Sequence, residues 1–322
     1  MRRLTGVELT RLRWRRAVLL LLLIAIAVPV VIGLARVWAT RPVSDSEIAR
    51  AAENGAGEIA RCTDRPRQFG LPPGSTEQQC TDLIVSWYTG REQLSLAGER
   101  TGSGMGVVAI LTAAMLLAAT TFVGHDWNSG SMSNQLLFEP RRGRIWTAKA
   151  LAVTLMALLT ALVVSTAYWL GIWAVIKVRD LPILEGALND SLGYGLRGAG
   201  FAAAAALGGY ALTMLFRSTV ATVGVLFVVS VAGGVFIALL GLSEQWQPHK
   251  NVAAIVKNGT TYYVDVPDSC FMGMQSGRPP EDNSECDHER DLSAWSGVGY
   301  YGVALVAVAG ASVVSFRRRD VP

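Results

Sequence analysis

The chain has 322 residues, 51% hydrophobic and only 17% charged, with a formal net charge of +4. Soluble domains carry about 25% charged residues, whereas a lipid-spanning helix needs roughly 20 mostly apolar ones. Six stretches meet that length, which excludes an ordinary soluble globule. The fold class read from the sequence is an all-α membrane protein of six transmembrane helices, because lipid offers no partner for free backbone groups.

In chain order, residues 1–16 set Leu4, Val7, Leu12 and Trp14 among six arginines. That pattern predicts a basic amphipathic helix in the headgroup layer or a merely positive flank that sets topology. Span 1 covers 17–38 and contains Pro29, where a kink is expected. Its apolar run is longer than that of a signal peptide, and ARVWATRP is a poor cleavage site. Residues 39–104 form a small helical unit. Ser44 and Glu47 have capping-box spacing before IARAAENGAGEIA, and Ser75 and Gln78 repeat it. The second box opens a segment with Cys80, Leu83, Ile84, Trp87 and Tyr88 on one helical face. PRQFGLPPG is the turn-rich connector.

Span 2 is 105–123, and the loop 124–149 follows. It is longer than antiparallel helices require. SMSNQLLF predicts a short amphipathic helix, Pro140 stops it, and Arg141, Arg142 and Arg144 face lipid phosphates or a protein. Span 3 is 150–176, then loop 177–197. Span 4, 198–216, holds GAGFAAAAALGG, and span 5, 219–242, holds AGG, small residues that permit close packing within the chain or against a second copy. In loop 243–296, VAAIVK-NG-TTYYVDV predicts a β-hairpin around Asn258-Gly259, and EDNSECDHER reads as a solvated surface. Span 6 is 297–316, with a tail of 317–322.

Alternating the sides separates the charge. One side, with 1–16, 124–149, Arg217 and 317–322, carries 14 basic and four acidic residues. The other carries 14 basic and 21 acidic. The positive-inside rule makes the first side, and both termini, cytoplasmic. All four cysteines fall in the long loops on the other side, where disulfides persist. Pairing within each loop gives Cys62–Cys80 and Cys270–Cys286. No cysteine or histidine spacing matches a zinc site, so no metal is expected. Arginine outnumbers lysine 25 to 4, which fits a GC-rich bacterial coding sequence.

The middles of the spans hold no Asp, Glu, Lys or His, which argues against an ion-driven transporter or channel. Trp169, Trp173, Tyr300 and Tyr301 near the outer boundaries, with Trp14 and Trp146 near the inner ones, read as an aromatic belt. No Walker A, HExxH, GxSxG or CxxC motif occurs, and His125 beside Asp126 reads as structural. The chain is therefore not read as an enzyme.

The 124–149 loop resembles that of type-2 ABC exporter permeases. The family shows an acidic residue, Ser-Gly-Thr-like residues, leucines, a Pro followed by basic residues, and a Lys opening the third span. Here these are Asp126, Ser129-Gly130-Ser131, Leu136-Leu137, Pro140 with Arg141, Arg142 and Arg144, and Lys149. Asp126 stands where Glu is usual, and Ser131 where Thr is usual. The resemblance covers about 25 residues in motif and nearly the whole chain in topology.

It implies a coupling helix that docks on a separate ATP-binding subunit. The implied contacts are Asp126, Gly130, Leu136, Leu137, Phe138, Glu139, Pro140, Arg141, Arg142 and Arg144, with Arg217 as a second, smaller one. Two ATPase copies and a second permease, identical or different, complete the assembly. ATP and Mg belong to the ATPase, and this chain binds no cofactor directly. Uncharged span faces suit an amphipathic or lipid-like substrate: a drug, lipid or glycolipid. The implied location is a bacterial cytoplasmic membrane, with lipid and no nucleic acid as a further partner. The rival reading is a membrane scaffold or sensor whose outer loops bind a ligand or partner.

Overall fold

The computed structural model describes residues 2–265 and 288–318. Thirteen α-helices, two short 3-10 helices and one pair of strands occur among them. Six helices are long and apolar enough to cross a membrane: α2 (Arg16–Ala39), α7 (Ser103–Asn128), α9 (Arg142–Val178), α10 (Ala187–Phe216), α11 (Thr219–Leu239) and α13 (Ala294–Arg318). The chain is a multi-pass, all-α membrane protein.

These helices overrun the expected spans. Span 2 continues to Asn128 and span 3 begins at Arg142. Asp126 and Lys149 therefore lie in the helices rather than in the loop. Span 4 likewise begins eleven residues earlier than its apolar run, at Ala187. Helix α2 runs on through Pro29 without a break.

Helix α10 is the centre of the bundle, packed between α7 and α9. Its small residues let the backbones approach. Ala199, Ala202 and Ala206 are fully buried, and Gly198 and Gly209 lie against Val108 and Leu116 of α7. The small stripe of span 4 is thus used inside the chain. That of span 5 is not, since among the described residues nothing approaches Gly233 or Gly234. Helix α11 touches the bundle only weakly, through α10 and α7, and leaves Val220, Phe227 and Leu239 exposed.

The belt reading needs correction at two positions. Trp169 is buried, edge-on to Tyr168 and Tyr194. Trp146 is buried too, and its indole N–H donates to Ser312 Oγ at 3.1 Å. A tryptophan with a hydrogen-bond partner inside the bundle has no need of the interface.

Between α2 and α7 stand α3 (Asp45–Asn54), α4 (Ala56–Asp64), α5 (Glu77–Thr89) and α6 (Leu96–Thr101). The Ser44–Glu47 capping box forms as expected. The second box lies one residue further on, at Thr76 and Gln79. Cys62 of α4 and Cys80 of α5 are bonded, with Cα atoms 5.7 Å apart. The bond joins two short helices. The other expected pair, Cys270–Cys286, lies outside the described residues. Cys80 and Ile84 face inward, whereas Trp87 and Tyr88 of the expected face are exposed. Trp87 stacks on Phe69, with ring centroids 5.9 Å apart.

Arg91 grips Glu47 through both carboxylate oxygens, at 2.6 and 3.1 Å, and the Ser44 amide adds a third bond at 3.0 Å. These donors pull the Glu47 carboxyl down to about 2. A depressed carboxylate stabilises the fold above the ordinary carboxylate range and loses that contribution as pH falls through its own value. The Arg91–Glu47 pair is therefore expected to persist below the ordinary carboxylate range and to be lost only as pH falls toward about 2, and Arg91→Gln to raise the Glu47 carboxyl part of the way back, because the bonds from Ser44 remain. Carbon-detected NMR of glutamate-labelled protein reads both values.

The expected hairpin around Asn258-Gly259 is a correction. Its first arm is helical: α12 (Pro248–Lys257) starts at a proline and packs on α13 and α10. Asn258 takes a left-handed conformation (φ 66°) that ends the helix, a standard role for Asn. Asn251 fixes the helix start, donating to the carbonyls of Gln245 and Gln247 at 2.7 and 3.1 Å. Strand β1 (Thr260–Tyr263) pairs antiparallel with β2 (Glu289–Leu292), Thr260 opposite Leu292. The strand's partner lies some 30 residues on, so no local alternation announces it.

Candidate functional site

The site sits at the end of the bundle that carries α1 (Arg2–Arg13), the α7–α9 connection and the α10–α11 turn. Helix α7 stops at Asn128, and Gly130 turns the chain with φ 67°. Helix α8 (Ser131–Phe138) follows, then Glu139 and the exposed Pro140, and α9 begins at Arg142.

Helix α8 is amphipathic along its length. Met132 is buried and Leu136 packs on the core. The next two residues point the other way: Leu137 is 80% exposed and Phe138 91%. Glu139 pairs with Arg144 at 3.1 Å, which ties the end of α8 to the first turn of α9. Arg141 is exposed, and Arg142 and Arg144 are half-buried.

Behind α8 lies a cluster of five charged side chains. Lys149 and Asp126 are both fully buried, with Nζ to Oδ2 2.5 Å. Lys149 also reaches Glu8 Oε2 at 2.8 Å. Asp126 Oδ1 accepts from Arg11 at 2.9 Å and from Arg15 at 2.7 Å. Arg11 closes the ring on Glu8 at 3.2 Å and donates to Ser131 Oγ at 2.8 Å, at the start of α8. Helices α1, α7 and α9 thus meet through one set of ion pairs, and the hydrogen bond from Arg11 ties α8 to it. An isolated charge buried this deeply would be very costly. Asp126 is tolerable because three cations face it.

Asp126 is therefore behind the surface, where it holds Arg11, the residue that bonds α8, and cannot itself touch a partner. Helix α1 buries Glu8 and Leu12, one turn apart, and leaves Val7 and Trp14 outside. The inward side of the N-terminal helix thus carries Glu8 as well as Leu12. His125 is exposed, on a different side of α7 from Asp126.

Arg217 ends α10 in a left-handed turn (φ 56°). Its guanidinium lies 4.8 Å from the centroid of Trp127, whose ring is edge-on to Phe316. The α10–α11 turn is held close to α7 at Gly124. A Cβ there would sit 1.7 Å from Thr219 Oγ1. Every residue expected at the docking surface except Asp126 is at least partly accessible, and all lie at this end of the bundle.

Sequence reading missed Glu8, Arg11 and Arg15. The signal was a single acidic residue among six arginines in residues 1–16. A second missed cluster lies at the opposite end. Arg36 of α2 bonds Glu99 at 2.9 Å, and Glu99 is 1% exposed. Ser103 donates to Glu99 and shares a 2.7 Å hydrogen bond with Tyr168. Comparison with protein-family models, curated proteins and solved structures finds no match, so the residues themselves carry the reading of the site.

Proposed function

We propose that this chain is the membrane-spanning subunit of an ATP-binding-cassette exporter in a bacterial cytoplasmic membrane. Two permeases and two ATPase subunits make the working unit. The ATPases bind ATP and Mg, and this chain binds and gates the substrate. Both termini and the α8 end of the bundle are cytoplasmic on this reading.

The observation that carries it is the pair Leu137–Phe138. Two large apolar side chains stand out from a short helix on a strongly basic end of the bundle. Apolar anchors with a charged rim are what a protein interface uses. Arg141, Arg142 and Arg144 form the rim, and Arg217 marks the smaller second contact. The ionic cluster beneath α8 makes the helix a stiff element able to pass a push to α7 and α9. The uncovered face of α11, with Gly233 and Gly234, suits a second permease, and the substrate path would lie between the two. Uncharged walls there suit an amphipathic or lipid-like substrate such as a drug, lipid or glycolipid.

The test is affinity co-purification in mild detergent. A stoichiometric ATPase with a Walker motif should accompany the wild-type chain. It should be lost from the Leu137→Asp/Phe138→Asp double variant while the spans stay folded. Undiminished co-purification of that variant would remove α8 as the docking element.

The scaffold or sensor reading has one observation in its favour, the exposed Trp87 stacked on half-buried Phe69 in the disulfide-bonded unit. A partner without ATPase motifs that stays bound to the α8 double variant would favour it.

A further inference from the structure

A cavity of about 480 Å³ opens where α9 begins and α13 ends, lined by Arg141, Arg142, Gly143, Arg144, Thr147 and Arg317. Four guanidiniums share it, and among the described residues no carboxylate lines it. Glu139, held by Arg144, stands outside the lining. Arg142 bridges the two helices, its Nη1 donating to the carbonyls of Phe316 at 3.3 Å and Arg317 at 3.5 Å. Arg141 and Arg317 have no carboxylate in ion-pair range among the described residues. Like charges gathered this closely repel unless an anion joins them.

We propose that this cavity binds a phosphate group, carried by the headgroup of an anionic lipid. Arginine forks match phosphate geometry. The first turn of the 37-residue helix α9 adds its positive dipole end. The depth fits a headgroup: Trp146 and Phe316, both buried, lie next to the lining in α9 and α13, so the cavity sits at the boundary between polar and apolar side chains. Basic pockets between membrane helices on the cytoplasmic side are where anionic headgroups collect. Leu137 and Phe138 are not in its lining, so the inference does not need the exporter reading. It needs only that this end of the bundle faces the inner leaflet.

The test titrates the purified full-length chain with short-chain phosphatidylglycerol, short-chain phosphatidylcholine and inorganic phosphate, read by native mass spectrometry. One tightly held phosphatidylglycerol per chain is expected. Arg141→Gln/Arg317→Gln should weaken it roughly 25-fold, about fivefold for each cation removed. Arg65→Gln/Arg67→Gln, with the same change in net charge at the opposite end, should leave it unchanged. Displacement by inorganic phosphate with the same variant sensitivity would support the phosphate chemistry and make free phosphate the ligand. Equal retention in both double variants would overturn the site, as would phosphatidylcholine bound equally tightly. A chain that brings no ATPase leaves the lipid titration intact, so the two ideas fail separately.

Discussion

Asp126→Ala is expected to destabilise the bundle by about 3–5 kcal/mol, the usual cost of removing one partner from a buried ionic set. Three cations lose their shared counter-ion, and only Glu8 remains among them. Lys149→Met should cost less, because Asp126 keeps Arg11 and Arg15. The order, aspartate worse than lysine, is the specific signature of a five-member cluster; a lone Lys–Asp pair would cost about the same from either side. The double variant should fall short of the summed losses by roughly 0.5–3 kcal/mol, as coupled neighbours do. Reversible unfolding in mixed micelles measures all three. An Asp126→Ala loss near zero would show that water reaches the cluster.

Cys62→Ser carries the second large effect. Its bond to Cys80 closes a loop of 18 residues and both sulfurs are buried. Restricting an unfolded loop of that length is worth about 3 kcal/mol. The unit formed by α3, α4 and α5 is small, and units of that size lean on such a bond. The loss should stay local. Limited proteolysis should cut the Pro66–Ser75 connector far faster in the variant, while the spans keep their protection. Equal cleavage in both chains would mean that packing of Ile84 and Val85 suffices without the bond.

The six spans were legible because the bilayer imposes a length and an apolar composition that few other structures need. Their ends were not. Asp126 and Lys149 look like loop residues when hydropathy sets the boundary, yet each extends a helix because the other neutralises it. That pairing joins residues 23 apart, and Glu8 joins them from 118 residues before Asp126. No periodicity carries such a relation. Helix α8 was readable, since Met132 and Leu136 are one turn apart and Pro140 ends it. Which of its apolar residues face out was not, because that depends on where Arg11 grips Ser131. The hairpin around Asn258-Gly259 failed for a related reason. Asn-Gly serves a helix end as well as a hairpin turn, and the packing of α12 on α13 decided between them.

Helix α9 has 37 residues, which at 1.5 Å each is about 55 Å. A hydrocarbon core is only about 30 Å thick. The helix contains no proline, the commonest cause of a sharp bend, so its surplus length must stand clear of the lipid or tilt through it. Both ends are fastened. Lys149 anchors one in the ionic cluster, and Arg179 at the other donates to the carbonyls of Val37 and Thr40, each at 2.7 Å. Such a rod cannot absorb a displacement by flexing in the middle. Movement imposed where α8 joins it must emerge at the far side, beside the disulfide-bonded unit.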